Sequence, residues 1–153
     1  MFDTNTPALI VDIDGTLARR GDRGPYDYER VGDDTPHWPV VNLVKDLHRY
    51  HNIVTNQRLV IFVLSGRPNT CIAQTSAWLE RYHIPYDHLI MRDPADVTRE
   101  GNMRPDVEIK RDMYHQFIAP GHEVLFVLDD RDSVVAMWRE LGLTCMQVAP
   151  GAF

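Results

Sequence analysis

The apolar run Ala8-Leu9-Ile10-Val11 leads directly into Asp12-Ile13-Asp14-Gly15-Thr16. Two carboxylates two residues apart cannot both point into a core. At the end of a buried strand they project into the crevice where open α/β sheets bind ligands. Paired acids there suit metal-assisted phosphoryl transfer in which one carboxylate is the nucleophile. Two other apolar runs also end in polar groups: Leu59–Leu64 meets Ser65-Gly66-Arg67, and Glu123–Leu128 meets Asp129-Asp130. Singly, each tail reads as a turn or a helix cap. In a parallel sheet all carboxyl ends lie on one side, so three such ends with four carboxylates read as one site.

Like charges held that close raise one another's pKa unless a cation intervenes. Magnesium is the expected cation, since it takes a few carboxylates, substrate phosphate and retained waters. No histidine or cysteine accompanies the acids, which counts against zinc. His37, His48, His51, His83, His88, His115 and His122 are scattered and read as surface or core residues. Phosphate is anionic, so a carboxylate nucleophile needs positive help beyond the metal. Lys110 supplies it if its helix faces the crevice; otherwise it is a solvated surface lysine. The Ser65 hydroxyl and Gly66 N–H suit non-bridging phosphate oxygens, with glycine permitting close approach.

These groups need strands to carry them. The spacing predicts strands at Ala8–Val11, Leu59–Leu64, His88–Met91, Glu123–Leu128 and Thr144–Val148. Residues 18–39, rich in Gly, Pro, Asp and Arg, read as an irregular loop or small flap. A helix is expected over Val40–Tyr50, with Val40, Leu43, Val44, Leu47 and Tyr50 inward. A second, capped at Asn69 or Thr70, runs to about Tyr82 with Ile72, Trp78 and Leu79 buried. A third starts near Pro105 and carries Val107, Ile109, Lys110, Met113, Tyr114 and Phe117. The last, Val134–Leu141, stops at Gly142. Alternating strands and helices predict an α/β fold: a doubly wound parallel sheet with right-handed crossovers.

The gross numbers agree. The chain has 153 residues, 44% hydrophobic and 25% charged, suited to one globular domain over 1–153. No apolar run approaches the roughly 18 residues of a membrane span, and Met1–Pro7 lacks signal-peptide regions. Cys71 and Cys145 read as reduced and buried, which makes the cytoplasm the expected compartment. The net charge of −6 argues against tight binding of long duplex nucleic acid. Arginine makes up nearly all of the 16 basic residues and suits bidentate phosphate contacts.

The DxDGT pentapeptide, Ser65, Lys110 and Asp129-Asp130 resemble, in order, the four motifs of the haloacid-dehalogenase superfamily of phosphotransferases. Arg23-Gly24-Pro25-Tyr26-Asp27, Ser65-Gly66-Arg67, Asp129-Asp130-Arg131, Met137-Trp138-Arg139 and Gln147-Val148-Ala149 resemble more narrowly the 3′-phosphatase domain of phage-type polynucleotide kinase/phosphatase. That likeness runs from about Ala8 to Phe153. It implies a Rossmann-like core with a minimal cap that removes 3′-phosphate from DNA or RNA ends, in the host cytoplasm if phage-encoded.

By the same resemblance, Asp12 is the nucleophile and Asp14 the general acid and base. Mg2+ is held by Asp12, the Asp14 main-chain carbonyl and Asp130, with Asp129 beside them. Lys110 neutralises charge, and Asp106 orients it from one helical turn away. Thr16, Arg23, Ser65, Gly66 and Arg67 contact substrate. Two departures stand out: no GxxxxGK[ST] kinase loop occurs in the chain, and Gly101-Asn102-Met103-Arg104-Pro105 carries less charge than the family. A small-molecule phosphatase such as a nucleotidase is the nearest rival reading, and a non-catalytic binding module a more distant one. The small cap favours a polymer end, bound through few phosphates and without base-sequence selection.

Overall fold

The computed structural model describes residues 5–153; the segment Met1–Thr4, part of the signal-peptide reading, lies outside them. Five parallel strands form the central sheet: β1 (Thr6–Asp12), β4 (Val60–Pro68), β5 (His88–Arg92), β6 (His122–Asp129) and β7 (Cys145–Gln147). Their order is β5-β4-β1-β6-β7. The winding direction reverses between β1 and β6. That reversal is the place where open sheets of this kind leave a crevice at the carboxyl ends.

Why the strands read as unbroken apolar runs is visible in β1. Leu9 and Val11 pack on one face with Val41, Val44, Trp78 and Leu79, whereas Ala8 and Ile10 face Ile109, Met113, Val135 and Trp138. Both faces are covered, so polar alternation would bury unpaired groups. Helices α1 (Trp38–Arg49) and α2 (Ile72–Arg81) cover the first face; α3 (Asp106–Met113) and α4 (Asp132–Glu140) cover the second. None of the described helices is long and apolar enough to cross a membrane.

Some expected details shift. The strand foreseen at Leu59–Leu64 continues to Pro68, because Ser65 and Pro68 still pair with Met91 and Arg92 across a bulge. Helix α1 buries Val40, Val41 and Val44, while Leu43 and Tyr50 are exposed; its inward stripe is turned by about one position from the predicted one. Ile72, expected inside, opens α2 on the exposed side, and Thr75 takes the buried position with Trp78 and Leu79. No side chain caps α2. After α3 the chain widens into a π-helical turn, Tyr114–Ile118, that buries Ile118 and leaves Phe117 exposed.

The expected flap is a two-stranded antiparallel ribbon, β2 (Ala18–Arg19) with β3 (Thr35–Pro36), linked through a 3₁₀ segment at Tyr28–Asp33. Arg19, Arg23, Tyr26 and Tyr28 of this flap line the hollow over the strand ends. The Trp78 indole N–H donates to the Asp34 carbonyl at 2.8 Å and ties this flap to α2.

Candidate active site

Asp12 ends β1 and Asp129 ends β6, and the pairing of Val11 with Leu128 brings these ends side by side. One oxygen each from Asp12, Asp129 and Asp130 lies within 4.8 Å of the others, and all three residues are buried. Lys110 reaches in from α3. Its Nζ donates to Asp12 Oδ1 at 2.7 Å and to Asp129 Oδ2 at 2.9 Å. Burial works against the ammonium, but Asp12 and Asp129 outweigh it and raise its pKa. Burial is also the main reason that the Asp12 carboxyl lies well above its ordinary range; Lys110 opposes the shift, and Asp129 and Asp130 add to it. Asp130 is raised too, by burial and then by Asp129.

One ammonium therefore faces three buried carboxylates, which leaves a surplus of negative charge. The donors are all oxygens. Such a set fits a hard divalent cation of the magnesium type and not a thiolate- or imidazole-loving one.

The turn after β1 is built around this cluster. Gly15 has φ +83°, and a Cβ there would overlap the Asp130 carboxylate. Both facts require glycine. The Thr16 hydroxyl lies 3.2 Å from Asp12 Oδ2 and 3.4 Å from Asp130 Oδ1. Fully buried, Thr16 spans the two carboxylates. The Asp129 Oδ1 accepts the Asp130 and Arg131 amides at 2.9 and 3.3 Å. On its other oxygen, Asp129 meets the Trp138 indole N–H at 3.4 Å. Trp138, part of the Met137-Trp138-Arg139 segment, thus touches the cluster.

Asp14 points elsewhere. Its carboxylate receives Arg67 Nε and Nη2, both at 2.8 Å, and Arg23 Nη2 at 3.0 Å. Burial alone would raise its pKa, but Arg67 and then Arg23 overcome that and hold it below the ordinary value. The Asp14 side chain is therefore not among the three clustered carboxylates. Arg23 and Arg67, foreseen as substrate contacts, are buried and also share Asp34, at 2.6 and 2.7 Å for Arg23 and 2.8 Å for Arg67. Sequence reasoning missed Asp34. It lies in a flap with several other aspartates and no periodicity to mark it.

Asp106 makes contacts other than the expected one. It does not bond Lys110; its carboxylate pairs with Arg92 and with Arg131, the latter at 2.9 Å. Lys110 is already claimed by two buried acids, Asp12 and Asp129. Arg92, also unforeseen, is buried and donates to the Gly66 carbonyl at 3.0 Å and the Arg104 carbonyl at 2.6 Å. A Cβ on Gly66 would collide with Asp106. Ser65 is fully buried, and its Oγ accepts the Arg67 amide at 3.1 Å. It stands behind the cleft wall, which Gly66 and Arg67 form.

The resulting cleft encloses about 760 Å³ and is lined by Asp12, Asp14, Gly66, Lys110, Asp130 and Arg131 among others. A larger hollow of about 1020 Å³ at the opposite edge of the sheet, beside Thr6, Gln57 and His122, includes none of these residues.

Residues 6–153 match the family model described as the polynucleotide kinase PNKP phosphatase domain. A protein of Autographa californica nuclear polyhedrosis virus, named for polynucleotide kinase and RNA ligase activities, is 31% identical over 135 residues; these are 88% of this chain and 18% of that protein. A chain in the solved Pnkp1/Rnl/Hen1 RNA repair complex superposes with a TM-score of 0.84 at 36% identity, over 98% of this chain and 44% of that one. The chain thus spans less than half of the length of either relative. D,D-heptose 1,7-bisphosphate phosphatase from B. bronchiseptica, solved with magnesium and phosphate, shares the fold at TM-score 0.57 and 11% identity, over 93% of this chain and 80% of that one.

Proposed function

Because the chain belongs to the PNKP phosphatase-domain family of the haloacid-dehalogenase superfamily, and is a phosphatase on that ground, we propose that it hydrolyses 3′-phosphate termini of RNA or DNA. The observation that carries this is the convergence of Asp12, Asp129 and Asp130 on the Lys110 ammonium at the β1/β6 edge. The small flap, a two-residue ribbon β2–β3 with its 3₁₀ segment, supports a polymer end over an enclosed metabolite. The RNA repair complex that contains the relative at TM-score 0.84 supports a nucleic-acid substrate.

In this reading Asp12 attacks phosphorus and forms an aspartyl-phosphate as the bond to the 3′ oxygen breaks. Asp14 gives its proton to that oxygen, and then removes a proton from the water that attacks the same phosphorus. The acyl-phosphate bond breaks, which returns the Asp12 carboxylate and releases inorganic phosphate. Arg67 and Arg23 hold Asp14 in place but favour its charged form. An incoming phosphate beside it opposes them by like-charge repulsion and restores the proton. Lys110 offsets charge on the nucleophile and phosphate. Mg2+ held by Asp12, Asp130 and the Asp14 carbonyl, with Asp129 beside it, would supply the remaining neutralisation.

Phosphate release from a 3′-phosphorylated oligonucleotide, compared with 5′-nucleotides, tests the reading. Faster release from the 3′ end is expected. Preference for 5′-nucleotides would replace it with a nucleotidase. Asp12→Asn abolishes turnover while the fold persists, and wild-type turnover in that variant would remove Asp12 as nucleophile.

A further inference from the structure

The cleft holds more cations than its chemistry consumes. Arg23 and Arg67 are buried and spent on Asp14 and Asp34. Arg131 is tied to Asp106 and lies under the Phe153 ring, 5.1 Å from its centroid. Arg19, on β2, and Arg20, just beyond it, are different. Both side chains are exposed and line the cleft, and neither forms an ion pair or a side-chain hydrogen bond among the described residues. Two free guanidiniums at the mouth of an acidic protein are placed for anions larger than one phosphate.

Aromatic rings accompany them. Tyr26 and Phe153 line the same cleft, and each is 72% exposed. Tyr28 meets Tyr26 edge-on, with ring centroids 6.4 Å apart, and steadies that ring in the flap. Large aromatic faces left to water beside unpaired arginines are the composition of single-strand binding grooves, where bases stack on rings and phosphates meet cations. A paired end fits poorly. The nucleophile Asp12 is only 7% exposed, so the terminal phosphate has to enter the cleft, and a complementary strand would then meet the flap.

We propose that Arg19, Arg20 and Tyr26, with Phe153, form a track for the nucleotides preceding the terminal phosphate and make the enzyme selective for single-stranded 3′ ends. This rests on the 3′-phosphatase reading above and adds to it a substrate form.

The test measures kcat/KM of the wild-type protein on a nucleoside 3′-phosphate, on 3′-phosphorylated di- and tetranucleotides, and on a blunt duplex. The expected result is a rise of about tenfold from mononucleotide to tetranucleotide, the scale of one stacked base, and slower release from the duplex. The double variant Arg19→Ala/Arg20→Ala should flatten the length series. It should also reduce the salt slope on the tetranucleotide by about 0.7 for each phosphate that the two arginines neutralise. Tyr26→Ala should flatten the series without changing the salt slope. Equal rates across lengths, or duplex cleaved as fast as single strand, would overturn the track while leaving the 3′-phosphatase reading intact. Release from none of the 3′-phosphorylated compounds would end both. If the arginine variant fails to fold, the wild-type series and Tyr26→Ala decide.

Discussion

Asp34, almost without exposure, accepts from two buried guanidiniums, Arg23 and Arg67, that also grip Asp14. Asp34→Ala leaves these two cations facing each other with one half-exposed partner. The expected cost is about 3–5 kcal/mol of unfolding free energy, the usual penalty for breaking a buried pair, together with loss of phosphate release; urea unfolding and a release assay check both. Gly15→Ala is a second case. The position combines φ +83° with close approach to the Asp130 carboxylate, so about 1–3 kcal/mol should be lost, along with phosphate release. The sequence makes Asp12, Asp129 and Asp130 legible because each ends an apolar run, and a carboxylate there has no bland role once three runs agree. It hides Asp34, which neither ends an apolar run nor repeats at a period; Arg92 does close a run, at the end of β5, but a lone arginine there reads as an ordinary solvated strand end. Asp106 misleads for a related reason: four residues on a helix put it beside Lys110, but spacing says nothing of which stronger partner each one finds.

Elements decide how well those residues are held. The flap is tied to α2 by the hydrogen bond from the Trp78 N–H to the Asp34 carbonyl, beside the Asp34–Arg67 ion pair to β4. Trp78→Phe keeps most of the ring volume and leaves that buried carbonyl unpaired, at an expected cost of about 1–3 kcal/mol. The flap shifts, so KM for an oligonucleotide should rise more than kcat falls; steady-state kinetics separate the two. On β7, burial pushes the Cys145 thiol from 9.0 up to about 12, with Asp129 adding to the shift. A thiol protonated in the fold but ionised when unfolded makes stability fall as pH climbs from about 9 towards 12. Cys145→Ala should therefore lose less stability than wild type between pH 8 and 10, as read by urea midpoints. Strands covered on both faces are plain from apolar runs such as Leu59–Leu64. Helix faces are less so: Leu43 and Tyr50 fit a 3.6-residue period, but the sheet takes Val41 instead, and only packing chooses between neighbouring stripes.

Taken whole, the fold concentrates its charge where it gains least from water. A chain of net charge −6 buries three carboxylates at one sheet edge with a single lysine among them. Without a cation the arrangement costs stability. Asp130 illustrates the sign: burial and Asp129 raise its folded-state pKa, so its ionised form is disfavoured at neutral pH, and the cost fades as acid protonates it. Asp130→Asn should therefore raise the metal-free melting temperature at pH 7, with the gain shrinking as pH falls. Mg2+ should separate the two proteins. At about 100 times its dissociation constant a ligand that binds only the folded state adds about 2.7 kcal/mol, which for a chain of this size is a rise of roughly 5–10 °C. Wild type should show that rise and Asp130→Asn should not, because its missing charge is both the source of the strain and, in the proposed site, a ligand. Calorimetry with and without Mg2+ gives all four melting temperatures. If both proteins rise equally, the ion binds elsewhere, and the acids at the β1/β6 edge need another explanation.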